Sequence, residues 1–168
     1  MRRISSTWLA AAAALVAAAV LVLSAAALTI TTASITFPAV TLDGTDQTVN
    51  GSTSAWRADA TGESGGWNVT VASTDFDNGA GKTIAVANFE IRLLDASIVV
   101  VSGDTNGPVS AQTIFASLSG TALKIASAAV SEGDSVYDLT PDFRLTVPAE
   151  TYTGSYTATV TVTTSAGP

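Results

Sequence analysis

Tyr156-Thr-Ala-Thr-Val-Thr-Val-Thr-Thr164 is the stretch that decides the fold class. Its residues alternate, so that Tyr156 and every second residue to Val162 fall on one face, and threonines fall on the other. A period of two residues is typical of a β-strand with one buried face, and β-branched threonine suits the exposed face. The sequence therefore predicts a strand here, within a longer segment from Tyr152 to Thr164.

A second alternating stretch, Trp67-Asn-Val-Thr-Val71, supports the same fold class. It follows a strand-like segment, Ala55 to Ala60, and a glycine-rich connection at 61–66 that reads as a hairpin. Short segments of this kind recur along the chain between Gly-, Asn-, Asp- and Pro-rich turns, without heptads or an internal repeat. We therefore predict an all-β fold, a β-sandwich of mostly antiparallel strands.

Three finer predictions concern single segments. Residues 44–51 read as turn chemistry, with Asn50-Gly51 the strongest local signal. Residues 83–94 read as one strand. Residues 122–130 are open between a helix, which their alanines permit, and a strand, which the flanking Gly120 and Gly133 permit.

The first 27 residues have the three zones of a secretory signal. Arg2 and Arg3 precede an apolar run, and Ala25-Ala26-Ala27 supplies the small residues of a cleavage site. We expect cleavage after Ala27 and a secreted single domain from Leu28 to Pro168. The alternative is a retained anchor, because the apolar run is about long enough to span a bilayer, so contact with a membrane is expected only through an uncleaved leader.

Charge and composition exclude several functional classes. Residues 28–168 contain five basic and fourteen acidic side chains, a formal charge of −9, which excludes a nucleic-acid binder that works by neutralising phosphates. The chain has no Cys and no His. Thiolate and imidazole metal sites, Cys nucleophiles and Ser-His-Asp triads are therefore excluded. We expect no cofactor.

One loop has the oxygen density of a calcium site. Asp75, Asp77 and Asn78 lie within four residues, but the remaining spacing and the distal Glu of an EF-hand are missing. Asp and Asn in tight turns more often accept hydrogen bonds from their own backbone, and we favour that interpretation over a metal site.

The other acidic residues are scattered, mostly through predicted turns, where solvated surface charge is the ordinary interpretation. A glycosidase needs two acids that converge in a cleft. We therefore predict that the protein is not an enzyme.

Two tryptophans are the remaining candidate ligand-binding residues. Trp56 and Trp67 flank the glycine-rich connection, where exposed indoles would stack on sugars and buried ones would belong to the core. Trp67 shares its face with Val69 and Val71, so we favour the core for it. For Trp56 both alternatives remain open.

Two blocks of the sequence resemble a known family. They are Ala58-Asp-Ala-Thr-Gly-Glu-Ser-Gly-Gly-Trp-Asn-Val-Thr-Val71 and Tyr137-Asp-Leu-Thr-Pro-Asp-Phe-Arg-Leu-Thr-Val-Pro148, the latter running on to the final Pro168. Both are similar to the WxL domain of Gram-positive cell-surface proteins, in its short form of a signal plus one domain. Trp67-Asn68-Val69 nearly reproduces the first Trp-x-Leu, whereas Val162 and Thr164 stand where the second Trp and Leu would be.

The resemblance implies a function. It implies a secreted surface protein that associates non-covalently with the cell wall, with peptidoglycan as ligand. The matched positions Trp67 and Tyr156, with Trp56 as a neighbour, are the candidate ligand-binding residues. The replaced second motif affects the expected wall affinity more than the fold.

A second function from another class remains open. Residues 28–37 are extended, Thr-rich and suited to add to a neighbour's exposed sheet edge, although their alternation breaks between Ile30 and Ile35. The alternative is thus a structural subunit of an extracellular filament or surface layer that assembles by β-strand addition. Its partners would be copies of itself or other surface proteins.

Overall fold

A computed structural model of the protein describes residues 28–103 and 105–167. The leader, residues 1–27, lies outside the described residues, so the signal peptide and its cleavage after Ala27 stay predictions. Within the described ranges, no helix has the length and apolar character needed to cross a bilayer.

The described residues form fourteen β-strands and two 3-10 turns, with no α-helix among them. The strands are β1 (Thr29–Thr31), β2 (Gln47–Gly51), β3 (Trp56–Asp59), β4 (Trp67–Ser73), β5 (Phe76–Asp77), β6 (Thr83–Ile84), β7 (Phe89–Arg92), β8 (Ile98–Gly103), β9 (Val109–Ser110), β10 (Ala116–Ser117), β11 (Leu123–Ala128), β12 (Ser135–Leu139), β13 (Asp142–Val147) and β14 (Val160–Ala166). The 3-10 turns are Val86–Asn88 and Asp95–Ser97.

These strands build three four-stranded antiparallel sheets and one two-stranded ribbon. The sheet orders are β1-β3-β12-β8, β10-β7-β13-β2 and β14-β4-β11-β9, and the ribbon pairs β5 with β6. The first two sheets continue into each other, because three chain segments contribute a strand to both. These are β2 with β3, β7 with β8, and β12 with β13. Pro141 interrupts the ladder between β12 and β13, as expected for a residue without a backbone N–H. The two sheets thus form one bent layer.

The third sheet forms the opposite layer and encloses the core. Trp67, Val69 and Val71 project from β4 and are fully buried, as a period of two requires. The Trp67 ring lies 6.0 Å from the ring of Tyr137 on β12, measured between ring centres. The prediction of an antiparallel β-sandwich is confirmed.

The glycine-rich connection at 61–66 is a link between layers. β3 pairs with β1 and β12 in the bent layer, whereas β4 pairs with β11 and β14 in the other layer. The prediction of a hairpin is therefore wrong, because each of these two strands finds its partners elsewhere in the chain.

The three finer predictions have different outcomes. Asn50-Gly51 closes strand β2 and makes no turn there. The missing side chain of Gly51 instead leaves space for the ring of Phe37. Residues 83–94 are two short strands separated by a 3-10 turn and not one strand. Residues 122–130 contain strand β11, which two partner strands pair on either side, so the strand alternative is correct.

Candidate functional site

An open cleft lies between the N-terminal and C-terminal stretches of the described chain. It measures about 1130 Å³, and one side is residues 32–42 while the other is residues 151–158. Core side chains form the remainder of its wall, and they are Trp56, Phe76, Ile84, Phe89, Leu145, Val147, Val160 and Val162. Every lining residue is apolar or an uncharged polar type, so we call it the uncharged cleft.

The sequence creates this cleft through two stretches that contain no charged residue. Residues 28–42 and 151–167 have neither acid nor base, although the chain between them contains all the described charges. Each stretch alternates half-buried apolar side chains with exposed threonines or serines along much of its length. The cleft therefore combines an apolar surface with hydroxyl groups at its rim.

Trp56 contributes a buried donor without an acceptor. The residue is 1% exposed, and its ring centre lies 5.7 Å from that of Phe143. Among the described residues, its Nε1 is a buried side-chain nitrogen without a hydrogen-bond partner. A buried N–H without an acceptor costs about 1–3 kcal/mol, and this nitrogen is too deeply buried for a molecule in the cleft to contact it.

Tyr156 lies at the opposite side of the same cleft. Its neighbour Thr157 exchanges two backbone hydrogen bonds with Asp77, at 2.8 and 3.0 Å, which holds this part of the chain against the β5 loop. The Tyr156 ring is half-buried, and its hydroxyl donates to the backbone oxygen of Tyr152 across 3.0 Å. The ring is thus oriented and still partly accessible.

Tyr152 extends the aromatic surface outward. Its side chain is 60% exposed, and the ammonium of Lys82 lies 4.1 Å from its ring centre, in a cation–π contact. Tyr152 and Tyr156 also line a smaller cavity of about 330 Å³, which includes Lys82 and Glu150. The tyrosine pair therefore separates an uncharged space from a smaller one that carries charges.

Trp67 does not belong to this site. It is fully buried in the core, and its Nε1 donates to the carbonyl oxygen of Gly133 across 3.0 Å. The core interpretation of Trp67 is correct, and Trp56, for which core and ligand were both open, is a core residue of the same degree of burial. The two differ in that Trp56 also lines the cleft. Of the three candidates, the fold brings Trp56 and Tyr156 into one cleft and leaves Trp67 outside it.

The loop considered for calcium uses its oxygens internally. Asp75 Oδ1 accepts from the backbone N–H of Val86, Asp77 Oδ1 accepts from that of Gly79, and Asn78 Oδ1 accepts from those of Ala80 and Lys82. Within residues 28–103 and 105–167, no group of three or more acids is arranged to hold a metal ion. The geometry is that of the backbone-capping alternative.

Sequence reasoning did not name Phe37 or Tyr152 as site residues, although both line the cleft. Absence of charge from both terminal stretches does not single these residues out, because residues 105–123 also contain no charge and lie outside the cleft.

No protein-family model and no curated protein sequence matches the chain. One solved structure that is similar to it is a family 123 glycoside hydrolase from Clostridium perfringens, which was analysed for glycolipid glycan hydrolysis. The two are 17% identical with a TM-score of 0.39, and the match covers 73% of this chain. The chain spans 19% of the hydrolase's length. A similarity of this size carries no statement about the function of this chain.

Proposed function

We propose that the protein is a secreted, non-enzymatic surface protein that associates non-covalently with the bacterial cell wall. In this proposal the uncharged cleft holds a neutral stretch of the peptidoglycan glycan. The observation that carries the proposal is that Tyr156, a half-buried candidate ligand-binding residue, lies in the wall of an uncharged cleft whose lining also includes the buried Trp56.

The chemistry of the cleft suits a neutral, N-acetylated sugar chain. An apolar cavity of this size with a few convergent polar groups is the usual form of a small-ligand site. The ring of Tyr156 would stack on a sugar face, and the hydroxyl groups of the rim would bond to sugar hydroxyls.

Charge favours the glycan over the anionic polymers of the wall. The mature chain carries a formal charge of −9, so an anionic polymer would be repelled at long range. The cleft itself has no charge and would neither attract nor repel a neutral chain. Its lining also has no carboxylate to act as acid or base, which supports a role in holding the glycan and not in cleaving it.

Val162 gives a reason why the replaced second motif need not abolish binding. It stands at the position of the family's second Trp, and here it is a half-buried residue of the cleft wall. An indole at this position would fill space that the smaller valine leaves open. In this proposal the ligand therefore uses the space that the family's second indole would fill.

The test is co-sedimentation of the chain from Leu28 to Pro168 with purified peptidoglycan sacculi, stripped of anionic polymers. Tyr156→Ala removes the stacking ring and should weaken binding by about 5- to 150-fold, the range for loss of 1–3 kcal/mol from one aromatic platform. Thr163→Ala, on the exposed face of β14, is the matched control and should bind like the unchanged chain. Binding should be equal with and without Ca²⁺.

Melting temperatures of both variants are measured beside the sedimentation, so that loss of folding is separated from loss of binding. The proposal is wrong if the unchanged chain stays in the supernatant with stripped sacculi. It is also wrong if Tyr156→Ala sediments as well as Thr163→Ala does.

A further inference from the structure

The N-terminal segment, which we define as residues 28–42, covers the fold without being buried in it. Its apolar side chains, among them Ile30, Ile35 and Phe37, are half-buried, and no residue of the segment is fully buried. They pack against the outside of the core and form one wall of the uncharged cleft. A segment with this burial is held more weakly than the strands beneath it.

One aromatic side chain anchors the segment. The Phe37 ring lies 5.8 Å from that of Phe89 and 6.3 Å from that of Phe76, both edge-on. Beneath it is Gly51, where an added Cβ would lie 2.7 Å from Phe37 Cε1. The missing side chain of Gly51 therefore forms a seat for this ring.

Few backbone hydrogen bonds hold the segment. β1 pairs with Arg57–Asp59, and Thr36 exchanges two bonds with Ser52, at 2.9 and 2.8 Å. Pro38 has no N–H to donate. Elsewhere in the segment the described residues show side-chain hydrogen bonds to its backbone: Thr53 Oγ1 donates to the oxygen of Ala33 across 3.4 Å, and Gln47 Nε2 donates to that of Thr41 across 2.6 Å.

A short turn, residues 43–46, joins the segment to β2. Asp43 Oδ1 stabilises it by accepting from the backbone N–H and the hydroxyl of Thr45, at 3.0 and 2.7 Å. The segment and the β2–β3 stretch thus form an antiparallel pair, and residues 43–46 are the connection that would have to straighten for the segment to leave. Opening of such a connection is the step that domain swapping requires.

We propose that the N-terminal segment exchanges between two copies of the chain. Residues 28–42 of one copy leave their own β3 and pair with β3 of the second copy, with Phe37 seated over the second copy's Gly51. The occupant is chemically identical to the segment it replaces, so every contact broken within one copy is remade between copies. Reciprocal exchange closes a dimer, and head-to-tail exchange continues into a filament.

Charge directs the contact to this face. The mature chain has a formal charge of −9, so two copies repel each other over most of their surface. The segment and the cleft that it lines contain no charged residue. Contact of two copies at this face therefore brings no like charges of the segment or the cleft lining together. The exchange does not depend on glycan binding.

The chain contains no cysteine, which makes a disulfide test direct. Thr36 and Ser52 form a doubly hydrogen-bonded antiparallel pair, and both are exposed. Cα atoms of such a pair are about 5.5 Å apart, within the range that a disulfide spans. Two single variants of the chain from Leu28 to Pro168, Thr36→Cys and Ser52→Cys, are mixed at high concentration, incubated and then oxidised.

A disulfide between these two variants forms efficiently only if the segment of one copy lies along the β2–β3 stretch of the other, where Thr36 pairs with Ser52. We expect a covalent heterodimer that a reducing agent dissolves, at several-fold the level given by the control mixture of Thr36→Cys with Thr163→Cys. Thr163 is exposed on β14 and lies in the other layer. A heterodimer yield no higher than that of the control would overturn the proposal.

The double variant Thr36→Cys/Ser52→Cys supplies the second measurement. Oxidised while dilute, it locks the segment onto its own copy, and light scattering should then find a monomer at concentrations where the unlocked chain assembles. Addition of reducing agent should restore assembly. If the locked chain assembles as well as the unlocked one, or if the unlocked chain is monomeric throughout, exchange of the segment is refuted, whatever the sacculi experiment gives.

Discussion

The indole N–H of Trp67 donates to the carbonyl oxygen of Gly133 across 3.0 Å, in a fully buried part of the core. Gly133 adopts a φ of +76°, and a Cβ there would lie 2.6 Å from Trp67 Nε1 and 2.5 Å from the Ala128 side chain. The tight turn before β12 and the largest side chain of β4 are therefore fitted to each other. This contact joins the two layers of the sandwich.

Trp67→Ala should destabilise the protein by about 3–5 kcal/mol, the range for removal of a buried aromatic side chain. Urea unfolding followed by circular dichroism measures it. That loss is a large part of the stability of an ordinary domain, so the variant should be partly unfolded at 37 °C. An unchanged unfolding midpoint would contradict the placement of Trp67 in the core.

Trp67→Phe and Trp56→Phe form a matched pair. Both indoles are buried, but Trp67 donates a hydrogen bond and Trp56 has no acceptor among the described residues. Trp67→Phe removes one of the two hydrogen bonds that the oxygen of Gly133 accepts, since the backbone N–H of Ser135 also donates to it across 2.9 Å. Trp56→Phe breaks no hydrogen bond. We expect Trp67→Phe to be the more destabilising by about 1 kcal/mol in the free energy of unfolding. The reverse order would show that the Trp56 N–H has a partner in solution.

Gly51→Ala should displace the Phe37 ring, because the added methyl would lie 2.7 Å from it. The expected loss is about 1–3 kcal/mol, as for other overpacked sites. Faster proteolysis at residues 28–42 should accompany it. Gly120→Ala is the matched control, since nothing lies within 4 Å of its added Cβ and neither glycine has a positive φ. Equal proteolysis of the two variants would show that Gly51 does not seat the ring.

Acid should weaken the fold only below about pH 4. Hydrogen bonds from the Arg57 guanidinium, at 2.9 and 3.0 Å, lower the pKa of Asp138 below its ordinary 3.8. The hydroxyl and backbone N–H of Thr45 lower the pKa of Asp43 in the same way. A carboxyl with a lowered folded pKa stabilises the fold fully above its unfolded pKa. This contribution is lost as the pH falls through the folded pKa.

Melting temperatures between pH 7 and pH 2 test this prediction. We expect a plateau from pH 7 to about 4 and a decline below it. The decline should be shallower for Asp138→Asn, which has no carboxyl to protonate at that position. A decline that begins near pH 6 would point to a group other than these two.

The pairing pattern of the chain was only partly predictable. Alternation showed that residues 67–71 form a strand and which of them share a face, because the side-chain period is a local property of an extended backbone. It did not show that β3 and β4 belong to different layers, since strand partners are separated by as many as 100 residues, as for Gln47 and Val147. Turn chemistry at Asn50-Gly51 was misleading for a related reason: glycine there serves a ring packed from residue 37.

The sequence by itself determined the all-β class, the inward face of β4, the acidic charge and the absence of thiol and imidazole chemistry, because each depends on residue identity and local period. Only the tertiary structure decided the position of Trp56, the seat of Phe37 over Gly51 and the formation of the uncharged cleft. The cleft arises where residues 28–42 meet residues 151–162, more than a hundred positions away. Contact between such distant segments is set by packing of whole layers, which no local pattern encodes.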